Sequence, residues 1–201
     1  PEDLGQFPDG DASATTPVLD QGTPVPFGTL AATPSFWALL IGSAASIGAI
    51  SCVNFLMKFV LEEQGFHDQA ARNAIWATAS IVSLFAAIGG RLLMGYLADK
   101  LPRQPVMLVT YVLVAAAIPM LFLVRPEQPG FVYLFGVVFG FAMGADYMLI
   151  PLMAADLFGV RSLGRAMSAI LPSDTIGQYW GPNLIAQLRS SWGAYASALW
   201  V

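Results

Sequence analysis

Five apolar stretches follow one another in this chain, at about residues 35–61, 72–98, 105–124, 130–158 and 163–188, with only short polar turns between them. A helix needs about 20 apolar residues to cross a hydrocarbon core roughly 30 Å thick. Inside that core every backbone amide and carbonyl must find a partner within its own segment, so such stretches span as α-helices. One run of this length fits the core of a water-soluble protein; five in succession do not. The expected fold class is therefore an all-α polytopic membrane protein. A sixth apolar run, at about 193–201, extends only about 13 Å at the helical rise and reads as the start of another helix.

Composition narrows the function classes. Of 201 residues, 56% are hydrophobic and 11% charged, against about 25% charged in soluble domains. The net charge of -4 says little about partners, because five of the thirteen acids (Glu2, Asp3, Asp9, Asp11 and Asp20) precede the first span. No basic patch invites nucleic acid. The single cysteine, Cys52, lies in an apolar span and the single histidine, His67, in a turn, so neither a disulfide framework nor a metal site is expected. No cofactor motif is present. HExxH, GxSxG and paired Ser/His or Asp/Asp motifs of protease type are absent, which disfavours an enzyme.

Residues 1–34 are rich in Pro, Gly, Asp and Thr without periodicity and read as a polar linker. They lack the basic start and apolar centre of a signal peptide. The chain begins with Pro1 rather than Met, and is expected to be a piece of a longer protein.

Between the second and third spans lies the turn Gly95-Tyr96-Leu97-Ala98-Asp99-Lys100-Leu101-Pro102-Arg103. Its glycine lets two helices approach, and its aspartate can cap or pair with a neighbouring helix end. Lys100, Arg103, Arg161 and Arg165 fall on one side of the bundle; Lys58, Arg72, Arg125 and Arg189 fall on the other, with Glu62, Glu63, Asp68 and Glu127. Bases are balanced four against four, so the positive-inside rule alone does not set the orientation.

Residues 95–103 resemble the signature between the eighth and ninth helices of the major facilitator superfamily, with Pro102 and Gln104 in place of a usual Gly and base. Pro1-Glu2-Asp3-Leu4-Gly5 resembles the end of the central cytoplasmic loop of these transporters. Gly177-Gln178-Tyr179-Trp180-Gly181-Pro182 resembles their Gly- and Pro-broken eleventh helix. Asp146-Tyr147-Met148-Leu149-Ile150-Pro151 and Leu163-Gly164-Arg165 look most like a bacterial branch related to monocarboxylate and oxalate–formate carriers. The resemblance covers essentially the whole chain and implies the carboxy-terminal half of a 12-helix fold. Its seventh to eleventh helices would be complete and its twelfth begun. It also implies a missing amino-terminal helix bundle as partner, the Lys100/Arg103 side in the cytoplasm, and a bacterial inner membrane.

The chemistry must lie in the few polar groups inside the spans, because a charge there costs at least about 2.5–3.5 kcal/mol near the bilayer centre. Arg91 precedes Asp99 by about two turns, and its planar fork suits a carboxylate gripped at two points. The same arginine can snorkel to the headgroups or pair with a structural acid. A substrate role for Arg91 is also implied by the resemblance, since related carriers use an arginine on the eighth helix. Asp146 and Asp174 lie near the middles of the fourth and fifth spans, close to Pro151 and Pro172. Each is a candidate to carry a coupling proton; the alternatives are pairing with Arg91 or capping a helix break. Asn54 and Tyr147 can orient a substrate by hydrogen bonds, whereas Gln178 reads rather as a link between helices. Lys58 is expected to snorkel, and Trp37, Tyr133, Trp192 and Tyr195 suit an interfacial aromatic belt.

Gly136, Gly140 and Gly144 recur every four residues on one face, as do Gly177 and Gly181, and permit close helix contact. Gly95, Asp99, Lys100, Arg103 and Arg165 form the expected gate, with Asp99 meeting the helix that begins near Leu163. The function expected is a secondary transporter, in the lipid bilayer, that carries small organic anions such as monocarboxylates by alternating access, with protons as a candidate coupling ion. The alternatives are an exporter of amphipathic or drug-like solutes, which needs no Arg91, and a non-transporting membrane scaffold or receptor half.

Overall fold

Proline, aspartate and glycine at the turns fix where each apolar run starts and stops as a helix. In the computed structural model, which describes residues 24–193 and 195, the helices are α1 (Phe27–Ala31), α2 (Pro34–Glu63), α3 (Gln69–Lys100), α4 (Arg103–Leu121), α5 (Phe131–Phe158) and α6 (Leu163–Trp192). Pro34 opens α2 at the position where its missing N–H is harmless. Asp68 caps α3 by accepting from the Ala70 and Ala71 amides at 3.2 and 3.1 Å. Pro102 separates α3 from α4, and Gly159, at φ +80°, ends α5 in a conformation that favours glycine. A short 3-10 turn, Val160–Ser162, leads into α6.

These helices begin and end within about a turn of the stretches read from sequence. Residues 1–23 of the expected linker and most of the 193–201 run lie outside the described residues. The end of that linker departs from an irregular polar segment: α1 is helical, Leu30 is buried, and Phe27 packs edge-on against Phe36 at 5.9 Å. Two apolar side chains within the polar stretch are enough to dock it on α2.

Glu63 at the end of α2 pairs with Arg189 at the end of α6, and Arg103 at the start of α4 pairs with Asp156 at the end of α5. The long helices therefore alternate in direction. The main packing partners are α3 with α5, α2 with α6, and α4 with α5. Phe36, Phe135, Phe139, Ile50, Leu121 and Ile170 fill the core, with Phe135 stacked on Phe139 at 5.3 Å.

The two closest crossings are made of small residues. A Cβ on Gly140 would come within 2.5 Å of Ser83 Cα, and one on Gly144 within 2.6 Å of Ala87 Cα. Gly136 faces Ala79 and Val82 on the same α3 surface. At the other crossing Gly177 lies against Ala44, and Gly181 faces Gly48 and Cys52. The backbones thus approach until only hydrogen fits between them, the geometry that small residues permit in membranes.

Four helices, α2 to α5, are long and apolar enough to cross a membrane. α6 matches them in length but carries Asp174, Thr175, Gln178, Asn183 and Gln187, side chains that need protein or a water-bearing cleft beside them rather than lipid. Outward-facing Phe85, Leu92, Val109, Val112 and Ile176 remain exposed, an apolar jacket suited to a hydrocarbon solvent and costly in water.

Candidate functional site

Two serines one helical turn apart on α2 organise the middle of the bundle. Ser43 Oγ donates to Asp174 Oδ1 on α6 at 2.6 Å, and Ser46 Oγ donates to Asp146 Oδ2 on α5 at 2.7 Å. Asp146 is 0% exposed and Asp174 8%. Spacing i, i+3 puts both serines on one face of α2, so one helix holds two carboxyl groups carried by two others. The charged groups near Asp146 are few: Asp174 acts on it from α6, and both carboxyls act on the Tyr111 phenol of α4.

Three buried side-chain oxygens among the described residues have no hydrogen-bond partner, namely Gln64 Oε1, Tyr111 Oη and Asp146 Oδ1. Two of these belong to this cluster. Tyr111 Oη lies beside α2, 3.6 Å from where a Gly42 Cβ would stand, which puts it one residue from Ser43 in the chain.

Asp174 opens onto a cleft of about 240 Å³ shared with Tyr147, Thr175 and Gln178, with Ile47, Ile150 and Leu171 as its apolar walls. Thr175 and Gln178 also border a second cleft of about 410 Å³, lined by Phe55, Tyr179, Pro182 and Asn183. Asp174, Thr175, Gln178 and Asn183 of α6 thus border two otherwise largely apolar clefts. Asn54 reaches α5 near this face, its Nδ2 lying 3.8 Å from Met143 Sδ. Arg91 is exposed on α3 and acts electrostatically on Tyr147. Asn54 meets α5 at Met143, one turn before Tyr147, whereas only Tyr147 of the three lines the Asp174 cleft. Arg91 pairs with neither buried aspartate: the three ion pairs among the described residues are Arg72–Glu62, Arg103–Asp156 and Arg189–Glu63.

The expected gate is only partly assembled as read from sequence. Gly95 packs against the flexible end of Met148, and Lys100 Nζ lies 5.9 Å from the Tyr96 ring. The anticipated contact of Asp99 with the start of α6 is absent among the described residues: Asp99 is exposed and makes no ion pair. Arg165 instead donates to the carbonyls of Pro24 and Val25 at 3.2 and 2.9 Å, and Val25 N donates to Ser162 Oγ at 2.9 Å. The docked end of the linker thus supplies backbone carbonyls that hold the Arg165 guanidinium in place of a carboxylate. Arg103 takes the bridging role, donating to Asp156 Oδ1 at 2.6 Å and to the Leu152 carbonyl at 3.1 Å.

Lys58 does not simply snorkel, since its ammonium sits 4.1 Å over the Trp76 ring of α3. Trp37 donates from Nε1 to the Ala31 carbonyl at 2.8 Å and fastens α1 to α2.

Sequence reasoning missed Ser43, Ser46, Tyr111 and Asp156. The serines carried a usable signal, two hydroxyls at helical spacing inside an apolar span that also had to face acids on other spans. Asp156, at the end of a span opposite Arg103, was likewise discoverable as a carboxylate on the basic side.

Helices of spanning length, an apolar jacket and carboxyl groups sheltered at mid-depth define an integral, multi-pass membrane protein. The Major Facilitator Superfamily model matches residues 4–200, and the chain belongs to that superfamily, a class of secondary transporters. No curated protein matches it in sequence.

Proposed function

We propose that the chain is the carboxy-terminal half of a transporter that moves small organic anions such as monocarboxylates across a bacterial cytoplasmic membrane, coupled to protons. The carrying observation is that two kinds of polar group lie on the helices of an otherwise apolar bundle. Tyr147 offers a hydrogen bond on the Asp174 cleft, Asn54 reaches α5 at Met143, and Arg91 is exposed on α3. Behind them Asp146 and Asp174 are held by hydroxyls instead of bases. Arg91 would grip the substrate carboxylate at two points. A proton taken by either aspartate would offset the negative charge that enters with the substrate. Alternating access would then expose the face to each side in turn against an amino-terminal bundle. The resemblance to monocarboxylate and oxalate–formate carriers adds to this reading.

Uptake of a panel of radiolabelled carboxylates tests it, in membranes holding the chain with its amino-terminal bundle. Accumulation driven by an inward proton gradient and lowered about tenfold or more in Arg91→Lys is expected; full uptake by Arg91→Lys removes the anion assignment.

A second reading, export of amphipathic solutes, has one observation in its favour. No lysine or arginine lines either cleft beside α6, and their walls are largely Phe55, Tyr179, Pro182, Ile47, Ile150 and Leu171. Efflux of an amphipathic dye that is indifferent to Arg91→Lys would select it.

A further inference from the structure

The Asp146–Asp174 cluster has a second approach, on the opposite side from the Tyr147 cleft. A cleft of about 250 Å³ enters between α2, α4 and α5, lined by Ser35, Leu39, Gln104, Met107, Tyr111 and Leu157. Its mouth holds the exposed polar residues Ser35 and Gln104, each within the first turn of its helix at the Lys100/Arg103 end of the bundle. Tyr111 closes the inner end. Its ring lines the cleft while its hydroxyl is buried beside Gly42, unpartnered and within electrostatic reach of both aspartates.

We propose that Tyr111 is a proton-transfer residue, linking the cleft at the Lys100/Arg103 end to Asp146. The geometry has the necessary parts in order. Tyr111 Oη is a buried donor without an acceptor, and Asp146 Oδ1 a buried acceptor without a donor. Asp146 Oδ2 is already taken by Ser46, and Ser43, one turn along α2, holds Asp174. Asp174 in turn lines the Tyr147 cleft. Tyr111 Oη and Asp146 Oδ1 are not bonded to each other; Gly42 and Ser46, four residues apart on one face of α2, put the phenol and the carboxyl side by side, and the phenol has to swing to Asp146 for transfer. The Ser46 hydroxyl of α2 is bonded to Asp146, and the titratable groups around it among the described residues are Asp174 of α6 and the Tyr111 phenol of α4. Tyr147 shares its own helix, and Arg91 of α3 acts on Tyr147.

The transfer balances as follows in atoms and charge. Once the phenol has swung into contact with Asp146, a hydronium in the cleft protonates the phenol oxygen as the phenol proton passes to Asp146 Oδ1. The Tyr111 hydroxyl ends unchanged, Asp146 gains one proton, and the hydronium becomes water. The reverse sequence empties Asp146 to the same side.

This inference rests on the proton-coupling reading of Asp146, and the two can be separated without knowing the substrate. The protein in lipid vesicles is examined by infrared spectroscopy for the C=O band of protonated carboxyl groups, assigned by its loss in Asp146→Asn. Transfer to heavy water then times the band's deuteration. Tyr111→Phe, which keeps the ring lining the cleft, should slow deuteration of the Asp146 band about a hundredfold, the lower end of what a positioned proton-transfer group contributes. Ser35→Trp, which fills the exposed mouth, should slow it as well, and Tyr133→Phe, on the outer surface, should not. An unchanged rate in Tyr111→Phe overturns the relay while leaving the coupling role of Asp146 standing. Absence of an Asp146 band at any pH overturns both.

Discussion

Ser46 on α2 and Asp146 on α5 are joined across the centre of the bundle by a 2.7 Å hydrogen bond, and the carboxyl's other oxygen has no partner. A side chain that is 0% exposed therefore depends on one hydroxyl, and an unpaired buried polar atom is costly. Ser46→Ala should destabilise the protein by about 1–3 kcal/mol. Asp146→Ala, which removes both carboxyl oxygens and leaves only the Ser46 hydroxyl without its acceptor, should cost less than Ser46→Ala combined with an intact carboxyl. Thermal unfolding in detergent reads both; a Ser46→Ala protein as stable as the parent would show that the bond contributes nothing.

The α3–α5 crossing should reject even one methyl group. Gly140→Ala pushes a carbon to 2.5 Å from Ser83 Cα, and overpacking of this kind costs about 1–3 kcal/mol. Gly89 has nothing within 4 Å of its missing Cβ, so Gly89→Ala should instead stabilise by up to about 1 kcal/mol, the helix-propensity difference. Opposite signs are expected in the same unfolding assay, and equal losses at both positions would refute the close crossing.

Arg103 and Asp156 fasten α4 to α5 by an ion pair whose side chains are 24% and 48% exposed. A double-mutant cycle with Arg103→Ala and Asp156→Ala should return a coupling energy of about 0.5–1 kcal/mol, weakened by salt. A cycle between Asp99 and Arg165 should return none, because Arg165 is held by the Pro24 and Val25 carbonyls.

Arg91 is the sharpest test of the substrate class. Replacing a two-point charged contact by a one-point contact removes about 1.5–3 kcal/mol, so Arg91→Lys should lower carboxylate uptake by about tenfold to a hundredfold. Asp146→Asn and Asp174→Asn should abolish uphill, pH-driven accumulation while leaving downhill exchange. Retained pH-driven accumulation in both variants would end the coupling proposal.

The helices were legible in sequence because hydropathy over about 20 residues is a long-window property that local detail does not disturb. The Gly136, Gly140 and Gly144 spacing pointed to one face, and the structure places that face on Ala79, Ser83 and Ala87. Asp146 and Asp174 stood out because acids are rare inside apolar spans. Their partners did not. Nothing in the chain ties Ser46 to an aspartate a hundred residues later; that pairing follows from which helix lies between α5 and α6. Asp99 and Arg165 stay apart among the described residues for a related reason. Side-chain charges are visible in sequence, whereas the backbone carbonyls that capture Arg165 carry no mark.

The most direct measurement is labelling by a membrane-impermeant thiol reagent in intact membranes, with Cys52→Ala as background. Thr175→Cys and Gln178→Cys lie on the cleft beside Asp174, whereas Val109→Cys and Val112→Cys lie on the outer apolar face of α4. Water-borne reagent should reach the two α6 positions and leave the two α4 positions unmodified. Equal labelling of all four positions, or labelling of α4 alone, would contradict a lipid-embedded bundle with its polar groups turned toward an aqueous path.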